Sequence, residues 1–303
     1  MAILTSLVHG ARIPVPSRLL IGRAAHCALS LPEAHVSSEH AVLAWDGSRW
    51  TLRDLGSRNG TFVNGERASA GATLNLAPGA RLALGTTDAT WLLEDDGAPA
   101  PMASAGDGPT RVIRTGADGL LPLPTPEDPQ VIVASDGRGS WFAELDGRRT
   151  PVADGAEIAV ADRTWRLHLP TTQVGTAVVD AGPTLDTIRL QFTVSRDEEH
   201  VGLTVIHRGR EIKLEGREHN YVLLTLARAR LDDRLQPAAE QGWVDRDRLL
   251  RMLGLDHNGL NVAIYRARGH LASVVDGAAD VVEVRRGQRR IGVEPERLTV
   301  LRP

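Results

Sequence analysis

"DLGSRNGTFVNG", Asp54–Gly65, packs two Asn-Gly pairs together with Ser57, Arg58 and Thr61 into one short stretch. Asn-Gly favours a tight hairpin turn because both residues tolerate positive φ. A turn alone does not need the hydroxyls and guanidinium gathered around the first pair, so the loop reads as one built to hold something. Its flanks read as strands. "HAVLAWDGSRWTLRDL", 40–55, alternates as two strands joined across Asp46-Gly47. "GTFVNGERA", 60–68, is strand, turn at Asn64-Gly65, strand, and "LNLAPGARLALG", 74–85, repeats the theme around Pro78-Gly79. No segment here has helical periodicity, so residues 1–97 are expected to be all-β.

Composition sets the outer limits. The 303 residues suffice for two or three domains, each with its own core. At 42% hydrophobic and 24% charged, the chain is an ordinary globular one and wholesale disorder is excluded. A net charge of −3 excludes a uniformly basic nucleic-acid coat. The start, "MAILTSLVHGARIPVP", lacks a basic n-region and its apolar run is broken by His9 and Arg12. No signal peptide, membrane span or membrane partner is expected. One cysteine, Cys27, excludes an intramolecular disulfide and a thiolate zinc cluster. It reads as a small buried hydrophobe in a reducing cytoplasm. No cofactor and no metal are expected. Lys213 is the sole lysine among the basic residues; such arginine usage fits a GC-rich, bacterial genome.

Beyond residue 97 the texture changes twice. "APAPMASAGDGPT", 98–110, reads as a linker or long loop. Residues 111–169 return to strands, in "QVIVASD", "SWFAELDG" and "AEIAVADRTWRLHL", and are expected to be a β extension of the first block, without its polar loop. "PTTQVGTAVVDAGPT", 170–184, is a second linker. From 185 to 303 three strands ("IRLQFTVS", "VGLTVIHRG", "REIKLEG") precede three helices. The first helix lies in "REHNYVLLTLARARL". The second, in "VDRDRLLRMLGL", opens at Asp245 or Asp247 and stops at Gly254. The third, in "GLNVAIYRARGHLASVV", has an apolar stripe of Leu260, Ile264, Leu271 and Val274. Its interior Gly269 weakens it by roughly 1 kcal/mol relative to Ala. "VVEVRRGQRRIGV" closes the chain as a hairpin.

The opening loop belongs with "IGRAAHC" and "HVSSEHAVL". Together they offer Arg23, Ser37, Ser38, Ser57, Arg58 and Asn59 at strand ends. Two guanidiniums with hydroxyls and an amide suit a phosphate oxyanion, through charge-assisted donors in fork geometry. No acidic pair or metal-ligand cluster accompanies them, so the chemistry is holding rather than cutting. In order and spacing, Gly22-Arg23, Ser37-x-x-His40-Ala41, Ser57-Arg58-Asn59-Gly60-Thr61 and Asn64-Gly65 resemble a forkhead-associated (FHA) domain over roughly residues 2–94. The resemblance implies an eleven-stranded β-sandwich binding phosphothreonine peptides through loops at one end. It implies that Arg23 and Ser37 contact the phosphate, that Arg58 adds a peptide or phosphate contact, and that Asn59 bonds the peptide backbone. It makes His40 a brace of the loops, with Gly22, Gly60, Thr61, Asn64 and Gly65 in the same framework. Ser38 stands where the family often has Arg or Asn, so contact there is shorter and neutral.

The C-terminal block resembles the winged helix-turn-helix output domain of two-component response regulators, over about residues 187–300. That resemblance implies that the third helix enters the major groove and the hairpin wing meets the backbone. Arg285, Arg286, Arg289 and Arg290 lie on the wing, and Asn261, Tyr265, Arg266 and Arg268 on the third helix, off its apolar stripe. These are the candidate DNA contacts, the wing for phosphates and the helix for bases. Residues 185–303 hold 20 basic against 18 acidic residues, a low surplus for such a domain. Gly269 and this weak surplus leave a winged helix turned to protein contact as an alternative.

Two function classes follow. One is a transcription factor that reads a Ser/Thr protein kinase's output through phosphothreonine and acts on duplex DNA. The other is an adaptor binding proteins at both ends. No Walker loop, HExxH, GxSxG or SxxK is present, so an enzyme is not expected. Thr171, Thr172 and Thr176 in the second linker, or Thr125 in "PTPEDP", are candidate phosphorylation sites. A phosphate there would add about two negative charges and let one copy engage Arg23 and Arg58 of another, as a homodimer.

Overall fold

The computed structural model describes residues 1–69, 71–88, 90–106, 111–145, 147–170 and 182–301. Its contacts divide into two compact units, Met1–Met102 with His168–Gln173, and Ala103–Leu167 with Val174–Pro303.

The first unit is a two-sheet β structure. Its strands are β1 (Ile3–Ser6), β2 (Arg12–Pro14), β3 (Arg18–Gly22), β4 (Leu29–Ser30), β5 (Ala41–Trp45), β6 (Trp50–Asp54), β7 (Thr61–Val63), β8 (Glu66–Arg67), β9 (Thr73–Leu76), β10 (Arg81–Leu84) and β11 (Trp91–Asp95). One sheet runs β2-β1-β11-β10-β7-β8 and the other β4-β3-β5-β6-β9. Period-2 burial drives the pairing: β6 buries Trp50, Leu52 and Asp54 and turns Arg53 outward. Leu4, Ile21, Leu43, Trp50, Leu82 and Leu93 form the core between the sheets. Asn64 (φ 52°) and Gly65 (φ 85°) make the left-handed pair that folds β7 onto β8.

The second unit opens with β12 (Met102–Ala105), β13 (Val112–Thr115), β14 (Leu120–Pro124), β15 (Pro129–Ser135), β16 (Trp141–Leu145), β17 (Arg148–Val152), β18 (Glu157–Val160) and β19 (Arg163–His168). They form two four-stranded sheets, β13-β12-β19-β18 and β14-β15-β16-β17. Next come β20 (Arg189–Val194), β21 (Val201–His207) and β22 (Arg210–Leu214), then α1 (Asn220–Asp232), β23 (Val244–Asp245), α2 (Arg246–Leu253), α3 (His257–Ala272), β24 (Val282–Arg285), β25 (Gln288–Ile291) and β26 (Leu298–Leu301). Asp245 caps α2 by accepting from the amides of Asp247 and Arg248, and Gly254 ends it at φ 66°. Asp256 caps α3 through the amide of Gly259. Leu260, Ile264, Ala267 and Leu271 of α3 join Phe192, Val222, Leu226, Leu249 and Ile291 in one core.

The structure departs from the sequence reading at three places. Met102–Ala105 is not linker but a strand with all four residues buried, since small side chains suit a crowded sheet as well as a loop. Residues 103–167 group with the C-terminal block, not with the first unit. The reason is visible in β15, which buries Val131, Ile132, Val133 and Ala134 consecutively, so its sheet has two apolar faces to cover. Ile132 and Ala134, with Leu120 and Phe142, pack against Tyr265 of α3. Finally, β26 pairs parallel with β20, a strand with no counterpart in the sequence reading.

Candidate functional site

Three loops of the first unit, 23–28, 31–40 and 55–60, are stitched together. The Arg23 amide donates to Ser37 O at 2.9 Å and the Ala24 amide to Ser38 O at 3.0 Å. A Cβ on Gly22 would lie 2.3 Å from Ser38 O, so only glycine permits this approach. The Arg58 amide donates to Ser37 Oγ at 3.0 Å, and Asn59 Nδ2 to His35 O at 2.8 Å. The result is a cleft of about 320 Å³ lined by Arg23, Ser37, Ser38, Arg58 and Asn59, with His35, Val36 and Gly56.

His40 sits beneath the cleft, fully buried. Its Nδ1 accepts from the Ser37 amide at 3.0 Å and its Nε2 faces Gly60 O at 3.2 Å. An acceptor at Nδ1 and a carbonyl at Nε2 require the neutral tautomer protonated on Nε2. Burial pushes the imidazole's pKa below its ordinary value, with the Gly60 carbonyl partly opposing it, so this form holds at neutral pH. His40 thus ties the Ser37 loop to the Gly60 loop.

A second brace is Asp54, which the sequence reading left among the strand residues. Its carboxylate accepts from the amides of Gly56 and Ser57 at 2.8 Å each, and from the hydroxyls of Ser57 and Thr61 at 2.6 Å each. Burial alone would raise its pKa, but these hydrogen bonds outweigh it and hold the group below the ordinary carboxylate value. The signal was an Asp two and three residues before Gly56 and Ser57, the spacing of an Asx turn. Ser57 is correspondingly committed: its Oγ donates to Asp54 and accepts from the Gly60 amide at 3.0 Å. Its hydroxyl proton is committed inside the loop, and Ser57 does not line the cleft of Arg23, Ser37, Arg58 and Asn59. Thr61 is buried, and Asn64 Oδ1 accepts from the Arg81 amide at 2.9 Å.

The exposed part of the cleft is donor-rich. Arg23 keeps one guanidinium bond, Nε to Val36 O at 3.3 Å. Among the described residues neither Arg23 nor Arg58 pairs with a carboxylate, and none lines the cleft. Ser37 Oγ retains its own proton and Asn59 its carbonyl oxygen. Such a site can hold a multiply charged oxyanion and an adjoining peptide edge. Among its lining residues there is no nucleophile with a partnering base.

The eight candidate DNA contacts of the second unit divide. Arg266, Arg285 and, at the hairpin tip, Arg286 (φ 48°) are exposed; Asn261, Tyr265 and Arg290 are half-buried. Arg268 is fully buried, with Nη2 donating to Glu144 Oε2 at 2.8 Å and Val282 O at 2.7 Å. Arg289 is 2% exposed. Arg285 and Arg290 stack on the Trp243 ring at 4.3 and 4.6 Å and donate to the carbonyls of Ala239 and Ala238. Arg268 and Arg289 are therefore not surface contacts in this fold. Helical and strand periodicity placed them off the local core, where a second sheet covers them. Thr125 is half-buried in the β14–β15 loop, its Oγ1 accepting from the Asp128 amide at 3.2 Å; Thr171, Thr172 and Thr176 lie outside the described residues.

Residues 19–85 match the family described as the FHA domain. Over 79 residues, 26% of this chain, the sequence is 38% identical to FHA domain-containing protein FhaB of Mycobacterium tuberculosis (strain ATCC 25618 / H37Rv), covering 50% of that protein. The chain thus spans about half the length of the curated relatives it matches. Among solved structures it is similar to Mycobacterium tuberculosis EmbR in complex with low affinity phosphopeptide, at 28% identity over 30% of this chain and 24% of that one, TM-score 0.28. It is also similar to the FhaA FHA domain complexed with the intracellular domain of Rv3910, at 31% identity over 28% of this chain and 92% of that one, TM-score 0.26. The first unit carries an FHA domain, FhaB and EmbR are bacterial proteins, and no catalytic family is indicated.

Proposed function

We propose that the chain is a phosphothreonine-responsive transcription factor. The FHA domain binds a phosphothreonine segment made by a Ser/Thr protein kinase, and residues 185–303 form a winged helix that binds duplex DNA. The observation that carries the first half is the convergence of Arg23, Ser37, Arg58 and Asn59 on one cleft lined by no carboxylate. Arg23 and the Ser37 hydroxyl take the phosphate, Arg58 and Ser38 the flanking oxygens, and Asn59 Oδ1 a peptide N–H. The ligand belongs to another protein or to a phosphorylated threonine of a second copy, which would pair two chains.

The second half rests on the order sheet, α1, α2, α3, hairpin, with Arg266 on α3 and Arg286 on the hairpin tip facing outward. Full-length protein titrated with labelled duplex across a salt series tests it, because phosphate contacts give a linear fall of log K with log salt. No affinity at low salt removes it. A specific observation favours the adaptor as a second reading: Arg268 and Arg289 are buried, and Arg285 and Arg290 are held on Trp243. In that case phosphopeptide binding survives and duplex binding is absent.

A further inference from the structure

We propose that the sheet β14–β17 is a built-in cover over the Asn258–Tyr265–Arg268 side of α3 and over Arg289 of the β24–β25 hairpin, keeping the second unit from receiving DNA until the sheet lifts. The proposal rests on the DNA-binding role given above to α3.

On α3, residues 258, 261, 265 and 268 recur at helical spacing and form one stripe beside the core stripe of Leu260, Ile264, Ala267 and Leu271. Three of its members are engaged by the sheet. Asn258 Nδ2 donates to Glu127 O at 3.4 Å, in the β14–β15 loop. Tyr265 packs against Leu120, Ile132, Ala134 and Phe142. Arg268 meets Glu144 of β16. The hairpin is held as well. A Cβ on Gly147, in the β16–β17 turn, would lie 2.7 Å from Arg289 Nη1 and 3.2 Å from the Gly287 Cα. Arg149 of β17 pairs with Asp280 at 2.5 Å, just before β24. A helix lying under a sheet cannot also lie in a groove.

Glu144 is the centre of this contact. Burial would raise its pKa, but the guanidiniums of Arg268, Arg289 and Arg149 keep it ionised and below the ordinary carboxylate value. Two of the three arginines come from the surface that would face DNA, so the carboxylate stands to them as a nucleic-acid phosphate would. The arrangement is only half satisfied. Arg268 Nε and Nη1 and Arg289 Nε are buried and make no hydrogen bond among the described residues; Arg149 Nε makes none either, though it lies 3.6 Å from Glu144 Oε2. A buried polar network with surplus donors is a poor permanent core. The apolar part of the contact is a small cluster separate from the main core of the unit. Both properties suit a contact that opens. While it is closed, apparent DNA affinity is reduced by the fraction of molecules that are open.

The test uses the full chain as wild type, Glu144→Gln, Phe142→Ala and the double variant. Phe142→Ala changes no charge, which separates release of the cover from loss of a repelling carboxylate. Two readouts run together: amide hydrogen exchange of residues 257–272 and of β20–β22, and titration with a labelled mixed-sequence duplex at low salt. The expected result is faster exchange along α3 with β20–β22 unchanged, and duplex affinity raised at least about tenfold in the double variant. Released α3 with duplex affinity equal to wild type, both measurable, overturns the cover and leaves DNA binding standing. Released α3 with no duplex binding in any variant removes DNA binding and the cover with it. Exchange along α3 that stays slow in the double variant means the sheet is permanent core, and also overturns the proposal.

Discussion

Replacing Asp54 should disturb both the stability of the FHA domain and its cleft. In Asp54→Ala, two amides and two hydroxyls lose a charged acceptor at 2.6–2.8 Å. The amides of Gly56 and Ser57 can turn to water, because their residues are at least partly exposed, but the Thr61 hydroxyl is sealed in at 0% exposure. An orphaned buried hydroxyl costs about 1–3 kcal/mol and a lost bond to a charged group about 1.5–3, so a total of roughly 3–5 kcal/mol is expected. For a domain of this size that lowers the melting midpoint by more than about 10 °C. Asp54→Asn keeps one acceptor for the amides and should cost roughly half as much. The sign with pH follows from the depressed pKa of Asp54. Its contribution is complete above the ordinary carboxylate pKa of about 3.9 and is lost as pH falls through the lower folded value. Thermal unfolding followed with phosphothreonine-peptide titration is the assay. An Asp54→Ala protein that melts and binds like wild type would refute the view that this carboxylate shapes the loop.

Gly22→Ala should weaken phosphopeptide binding by displacing Ser38 in the cleft, since its Cβ would force Ser38 O away from 2.3 Å; equal affinity by calorimetry counts against the stitched-loop geometry. His40 should titrate below the ordinary histidine value of about 6.5 in an NMR pH series. Because its folded pKa is depressed, FHA stability should fall as pH drops from that value toward the folded one. Arg286→Ala should lower the salt slope of duplex binding by about one, read from labelled-duplex titrations across a salt series.

What could be read from residues alone follows the range of the interactions. The Asn64-Gly65 turn, the caps of α2 and the strand pattern of residues 1–97 are local, and the turn and cap residues announce them. The cleft residues lie in three short stretches whose turn and hydroxyl chemistry is dense enough to stand out. The burial of Arg268 is different. Its partner Glu144 is 124 positions away, and nothing in the periodicity of α3 shows that a sheet covers its polar side. A comparable separation, 108 positions between Leu190 and its partner Leu298, hid the parallel pairing of β26 with β20. "VIVA" in β15 did carry a clue, since an unbroken apolar run in a strand asks for cover on both faces; reading residues 111–169 as a β extension of the first block left that cover unassigned. Asp54 was missed for a simpler reason: a carboxylate ending a strand reads as solvated until its four donors are seen to converge.

The central claim is that the cleft of Arg23, Ser37, Arg58 and Asn59 holds a phosphothreonine segment. Calorimetric titration of the full chain with a phosphothreonine peptide library and its unphosphorylated twin, for wild type and Arg23→Ala, tests it most directly. A charge-assisted hydrogen bond is worth about 1.5–3 kcal/mol, so phosphate-dependent binding should weaken by at least about tenfold in Arg23→Ala. The same affinity in both proteins, or binding by wild type that ignores the phosphate, would contradict it.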